Sequence, residues 1–338
     1  MKRIINVGVI LILFSLNACS SYSGKGVRIG FLIHTTKSAR WQMDLSYVQE
    51  RAKEVGATII LKDAGGDENM QLKQASELLE EGVDAIIVVA ANQNTAAGIV
   101  REAHKYDVPV IGYDRLIKNS DLDYLVSFEY DKVGQIMIDY ARARKPNGNY
   151  IMVWGDASDA NAVFVKAGNL KALEPYIQNG DINLAYKTYV DSWSMVNAEH
   201  KINEVLDFYD KKIDAIIVSN DPMAIGAYNA LVKHGYGPNE VLITGQDATL
   251  AFVRSMLKGG MTMSVYKPIK DLAYGAVDLV VDLVKHKKAE GFDKTVNNGK
   301  KDVPAKLFEP SVVDKSNFEK VLIESGIFTR EEVFNADQ

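Results

Sequence analysis

The residues able to do chemistry in this chain sit at the ends of apolar runs. Asp114 and Arg115 follow the run 109–113, and Asp159 and Asn161 follow 149–154. Asn220 and Asp221 come after Ile216-Ile217-Val218-Ser219, and Asp247 ends the run that begins at Leu242. Carboxylates and amides accept hydrogen bonds in fixed directions, Arg and Lys donate, and an indole offers a flat apolar face. A small free sugar matches that set, because it carries a girdle of hydroxyls between two C–H faces. Asp114, Asp159 and Asp247 would accept from the hydroxyls. Arg40, Arg115 and Lys267 would donate and neutralise the acids nearby, and Trp41 and Trp193 would stack on the two ring faces. Each residue also has a plainer reading. An Asp after a strand caps the next helix, Arg115 pairs with Asp131 on the surface, and a Trp belongs to the core. Convergence at independent strand ends favours the ligand.

The elements that must position these groups follow from the pattern. Residues 27–33 read as a strand, 41–55 as a helix and 57–61 as a second strand. Asp67 is placed to cap a helix with the apolar face Leu72, Ala75, Leu78 and Leu79, stopped by Gly82. Strand 83–89, helix 96–106 and strand 109–113 continue the alternation, which predicts a parallel sheet flanked by helices. A second copy follows, with strand 149–154, helix 162–176 and strand 184–190. Val83-Asp84-Ala85-Ile86-Ile87-Val88 returns as Ile213-Asp214-Ala215-Ile216-Ile217-Val218, and the run 110–114 is echoed by 242–247. One α/β lobe, doubly wound and written twice, is the expected architecture. Ligands of such sheets bind outside the carboxyl ends of the strands, so two facing lobes make a cleft lined by the residues above.

The N-terminus bears on location. Lys2 and Arg3 precede an apolar stretch, 4–16, too short to span a bilayer and of the length of a signal-peptide core. It ends in Leu16-Asn17-Ala18-Cys19, similar to a lipobox, with an Asn at a position where that residue is less usual. Residues 1–18 are therefore expected to be a signal peptide. Cys19, the single cysteine of the chain, is the expected lipidation site, and 19–25 a flexible tether. The product would be secreted and held on the outer side of a membrane. The remaining length, about 320 residues, suggests two domains.

Other classes find less support. A net charge of −5 with interspersed signs lacks the basic stripe of a nucleic-acid binder. Five scattered histidines and one cysteine form no zinc pattern, and no cofactor is called for. Asp159 and Asp247 as a glycosidase pair are the nearest approach to an enzyme. However, the chain has no Gly-x-Ser-x-Gly elbow, no Cys–His arrangement and no phosphate-cradling glycine loop after a strand. Gly65-Gly66 lack the later glycines of a dinucleotide fingerprint, since Asp67 and Met70 stand there.

At these residues the chain resembles the sugar-binding type I periplasmic binding proteins, the ribose, galactose and xylose receptors of ABC importers, over roughly 27–328. The resemblance is carried by Arg40-Trp41-Gln42, Tyr113-Asp114-Arg115, Asp159-Ala160-Asn161, Ser219-Asn220-Asp221 and Gly245-Gln246-Asp247-Ala248. Val265-Tyr266-Lys267-Pro268, Asn297-Asn298-Gly299 and Asp302-Val303-Pro304 add to it. It looks nearest the xylose receptors, and D-xylose is the ligand it implies. Lys37, Arg40, Trp41, Asp114 and Arg115 would approach the sugar from the first lobe. Asp159, Asn161, Trp193, Asn220 and Asp247 would come from the second, with Lys267 at the hinge. The family also implies three crossings between lobes, here near 127–129, 265–266 and 307–309. That places 26–128 with 267–307 in the N-terminal lobe and 129–266 with 308–338 in the C-terminal lobe, the segment from Ser311 packing on the latter. A monomer that closes on its sugar and delivers it to a membrane permease is the function implied.

Three positions depart from the family pattern. Lys37 stands where an Arg is usual, Trp154 where a small residue is expected and where it would narrow the pocket, and Ser192 where the Asp191–Trp193 turn usually has Gly. Rival readings stand beside the importer: a sensing subunit that signals to a membrane histidine kinase, a receptor for another pentose or hexose, and a DNA-binding repressor with the same lobes. A repressor would need a helix-turn-helix where this chain has its leader.

Overall fold

The computed structural model describes residues 26–287 and 289–335. The expected signal peptide, the tether and Cys19 lie outside the described residues.

Val- and Ile-rich runs form the strands, and both lobes use the same winding. The first sheet contains β1 (Arg28–Ile33), β2 (Thr58–Asp63), β3 (Ala85–Val88), β4 (Val110–Tyr113) and β5 (Tyr124–Phe128). The second contains β6 (Gly148–Trp154), β7 (Ile182–Tyr189), β8 (Ala215–Val218), β9 (Leu242–Gln246) and β10 (Met263–Tyr266). The chain then returns to the first sheet as the hairpin β11 (Lys294–Asn297) and β12 (Asp302–Phe308), and ends in the second as β13 (Ser311–Asp314). The orders are β11-β12-β5-β4-β3-β1-β2 and β13-β10-β9-β8-β6-β7. In both, the second strand of the lobe lies outside the first and the third on its other side, the doubly wound arrangement whose switch point opens a ligand crevice. Pairing is parallel except at β11–β12 and β10–β13. The repeated Asp even makes the same bond twice: Arg28 N–H donates to Asp84 at 2.7 Å and Asn149 N–H to Asp214 at 2.8 Å.

Helices cover the sheets as α1 (Ala39–Val55), α2 (Glu68–Glu80), α3 (Ala97–His104), α4 (Tyr130–Arg144), α5 (Ala160–Gln178), α6 (Met195–Phe208), α7 (Asp221–Lys233), α8 (Leu250–Leu257) and α9 (Ile269–His286). Their N-termini explain where sequence-based limits shift. The Ser38 hydroxyl accepts from Trp41 N–H, so α1 starts two residues before the expected position. Asp159 caps α5 in the same way through Asn161 N–H, again two residues early. The helix expected over 96–106 is shorter, because its C-terminal turn leads into Asp107 at φ 56°. The hydrophobic core lies between the helices and the sheets, with β1, β3, β6 and β8 almost wholly buried. No helix among the described residues is long and apolar enough to cross a membrane.

Candidate functional site

The carboxyl ends of both sheets face one cavity of about 750 Å³. At its floor lies Arg40, in the first turn of α1. Its Nη2 donates to Asp114 Oδ2 at 2.6 Å, its Nη1 to Asp247 Oδ1 at 3.0 Å, and its Nε to Asp44, one helical turn along. Lys267, just past β10, adds a second cation, with Nζ 2.9 Å from Asp247 Oδ1. Asn161 Nδ2 donates to Asp114 Oδ1 at 2.6 Å, and the Tyr130 hydroxyl donates to the same oxygen. Beside this group Arg115 pairs with Asp159 at 2.8 Å, and its Nη1 donates to Ala90 O. Charges this deeply buried are tolerable only when paired and hydrogen-bonded, and these are.

The titration behaviour reflects that pairing. Burial pushes Asp114 up, but Arg40, Lys267, the Tyr130 hydroxyl and Arg115 outweigh it and hold the carboxyl well below the usual range. Burial opposes the charge on Arg40, yet Asp44, Asp114 and Asp247 raise it further above its ordinary value. Asp159 goes the other way: burial raises it more than Arg115 lowers it. His34, at the end of β1, is pushed down to about 2 by burial and by the nearby Arg115, so it is neutral.

Two indoles complete the cavity wall. Trp41 is 8% exposed, stacked by the guanidinium carbons of Arg40 and Arg115 at 4.9 and 5.5 Å and by the edge of His34. Trp193 enters from the turn after β7, where Ser192 and Trp193 both take left-handed φ, 56° and 53°. The missing Gly of that turn is thus replaced by a strained Ser, held by its N–H donating to Asp156 Oδ2 at 2.7 Å. Trp193 lies on Gly155, where a Cβ would come within 2.2 Å of the ring, so Gly155 is what gives the indole its place.

All the candidate residues gather at this cavity. Lys37, Arg40, Trp41, Asp114 and Arg115 line it from the first sheet's side, and Asp159, Asn161, Trp193, Asn220 and Asp247 from the second, with Lys267 between them. Lys37 is exposed at the rim. The capping role of an Asp or Asn after a strand coexists with a place at the cavity. Asp159 caps α5 and pairs with Arg115, and Asn220 caps α7 and lines the cavity. Asp114 and Asp247, equivalent in the two repeats, both take left-handed φ, 64° and 95°, which turns each carboxylate from its strand end.

Two expectations are corrected. Trp154 does not narrow the pocket: it is 2% exposed on β6, its Nε1–H donating to Asn169 Oδ1 of α5 at 3.0 Å, away from the cavity lining. Arg115 does not pair with Asp131 on the surface but is 7% exposed and forms its ion pair with Asp159. Tyr130, His34 and Gln246 also line the cavity, and the sequence reading passed over them. Tyr130 had a signal, its place immediately after the first crossing between lobes. The lobes also touch outside the cavity, where Gln93 N–H donates to Ser158 O at 3.0 Å and Gln93 Nε2 to Ala157 O at 3.2 Å. Among the described residues no group of three or more His, Cys, Asp or Glu side chains could hold a metal ion.

Comparison with known proteins agrees with this architecture. Residues 29–288 match the family described as "Periplasmic binding protein domain". The chain is 36% identical to the D-xylose-binding periplasmic protein of Haemophilus influenzae over 316 residues, 94% of this chain and 95% of that one. It is 35% identical to the D-xylose-binding periplasmic protein of Escherichia coli, over 91% of this chain and 93% of that one. A solute-binding protein of an ABC transporter from Clostridium phytofermentans, solved with bound β-D-glucose, superposes with a TM-score of 0.86 at 30% identity, covering 90% of this chain and 99% of that one. Such proteins bind solutes and are not enzymes. With its two doubly wound lobes closed around one polar, aromatic-walled cavity, the chain belongs to the sugar-binding type I periplasmic binding proteins.

Proposed function

We propose that this protein captures free D-xylose outside the cytoplasm and delivers it to the permease of an ABC importer. The observation that carries the reading is the ring of donors and acceptors formed by Arg40, Asp114, Asn161, Asp247 and Lys267 in a cavity that Trp41 and Trp193 also line. A pyranose lying between the two indoles meets that ring with its hydroxyl edge. Xylose is favoured over other sugars by the two relatives named for it, while the glucose of the Clostridium phytofermentans protein marks an alternative.

Capture works by closure of the lobes, taken as 26–128 with 267–307 and 129–266 with 308–338. Asp114, Arg115 and Arg40 belong to one lobe and Asp159, Asn161 and Asp247 to the other, so a sugar makes its full set of bonds only when they meet. Binding then shifts the population toward the closed form by the difference in affinity. The monomeric closed form is what the permease reads. Cys19 carries the lipid that keeps the protein at the membrane.

Calorimetric titration of the protein begun after Cys19 tests the sugar. Xylose is expected to bind with a dissociation constant on the order of micromolar or below, and arabinose, ribose, glucose and galactose more weakly. Tighter binding of glucose would replace the named sugar and keep the class. No binding of any free monosaccharide at millimolar concentration would end the reading. The anchor is tested separately, by incorporation of a labelled fatty acid into the full chain and its loss in Cys19→Ser.

A further inference from the structure

Asp221 is 0% exposed at the first position of α7, directly after the cavity-lining Asn220, and it does not itself line the cavity. Its two oxygens have separate tasks. Oδ2 accepts from Thr249 N–H at 2.7 Å, and Oδ1 accepts from the Ser264 hydroxyl at 2.7 Å. The Ser264 oxygen in turn accepts from Ala248 N–H at 2.9 Å. Residues 248 and 249 are therefore both moored to one carboxyl group, one directly and one through a hydroxyl.

The moored segment is the one that needs holding. Asp247 and Ala248 lie at φ 95° and 47°, conformations that cost free energy in non-glycine residues unless their surroundings fix them. Asp247 is also the residue by which the second lobe reaches Arg40 and Lys267. Gly245 makes the approach possible, since a Cβ there would stand 2.2 Å from Asp221 Oδ1. Burial and the like charge of Asp247 raise Asp221 to about 8, so near neutral pH the carboxyl is largely protonated; in that form Oδ2 still accepts from Thr249 N–H, and the bond to Ser264 runs the other way, Oδ1–H donating to the hydroxyl oxygen.

We propose that Asp221 is a positioning residue for sugar binding: with Ser264 it locks the left-handed Asp247-Ala248 turn, and so sets the direction in which Asp247 meets the ligand. The proposal rests on the reading that Asp247 contacts a sugar. Its test therefore has one arm that involves no sugar.

In that arm, hydrogen exchange of the amides of Ala248 and Thr249 is compared in wild type, Asp221→Ala and Asp221→Asn. Exchange is expected to rise about tenfold or more in Asp221→Ala and to stay near wild type in Asp221→Asn. The Asn amide can still accept from Thr249 and donate to Ser264. In the second arm, xylose and glucose titrations are expected to show binding about ten- to a hundredfold weaker for Asp221→Ala, with recovery to within about threefold in Asp221→Asn. Should Asp221→Ala not fold, Ser264→Ala breaks the mooring of Ala248 alone, and the same rise in exchange is then expected at the Ala248 amide while Thr249 stays held by Asp221. Unchanged exchange in Asp221→Ala would overturn the proposal, and so would faster exchange with unchanged sugar affinity. Failure of the wild type to bind sugar would sink the sugar reading, leaving the hold on the turn to be judged by exchange alone.

Discussion

Arg40 of the first lobe and Asp247 of the second meet across the cleft at 3.0 Å, and the same guanidinium holds Asp114 at 2.6 Å. One cation thus organises carboxylates from both halves of a duplicated fold. Removing it leaves Asp44 and Asp114 buried beside an empty space. Arg40→Ala is expected to lose about 3–5 kcal/mol of stability, as for one partner of a buried ion pair, together with measurable sugar binding. Urea denaturation and calorimetry check both, and a variant as stable as wild type would contradict the account.

The three tryptophans divide by direction. Trp193→Ala should weaken sugar binding about tenfold or more through loss of the stacking surface. Trp154→Phe should leave affinity within about twofold and cost about 1–3 kcal/mol of stability, because the buried Asn169 oxygen loses its donor. Equal loss of affinity in the two variants would show that Trp154 reaches the pocket after all.

Gln93 clasps the opposite lobe without touching the cavity, through Nε2 to Ala157 O. Gln93→Ala should raise the dissociation constants of all bound sugars by one common factor, about two- to tenfold. Titrations with two sugars decide it: a changed ratio between them would mean that Gln93 acts on the sugar rather than on closure.

Two groups should tilt the pH dependence of stability in opposite senses. Asp221 sits at about 8, above its unfolded value, so the native state binds the extra proton. Its contribution is complete below the unfolded pKa and fades as pH rises through about 8. His34 sits at about 2, below its unfolded value of 6.5, so its contribution is complete above about 6.5 and fades as pH falls toward 2. Asp221→Asn should flatten the alkaline decline and His34→Asn the acid one, each as a difference from wild type in denaturation midpoints between pH 4 and 9. A difference of the opposite slope in either variant would refute its assignment.

The sequence made the strand ends legible because parallel sheets aim their carboxyl ends at the crevice, and Asp114, Asp159, Asn220 and Asp247 need only follow an apolar run to be found. Asp221 was visible too, one residue from Asn220, but adjacent residues at a helix start point in different directions. Only coordinates show that Asn220 faces the cavity and Asp221 the turn behind it. Trp154 is misjudged for a like reason: the sequence does not say whether the last side chain of a strand turns to the crevice or under a helix, and here it meets Asn169 of α5. Gln93 and Tyr130 escaped because their partners lie on the other lobe. The hairpin of β11 and β12 is legible only as a family-like stretch, because β11 is four residues with a polar exposed face and β12 carries a proline at position 304.

The chain passes between the sheets after β5, after β10 and after β12, and these passages lie side by side. Phe308 pairs with Phe128, Glu129 N–H donates to Phe308 O, Tyr266 pairs with Ser311, and Lys267 reaches the Tyr130 hydroxyl. A single strap would let one lobe swivel and twist against the other. Three abreast resist torsion and leave bending about one axis as the soft motion. In the closure proposed above, the halves of the site would therefore meet in the same register each time, with no search over relative orientations.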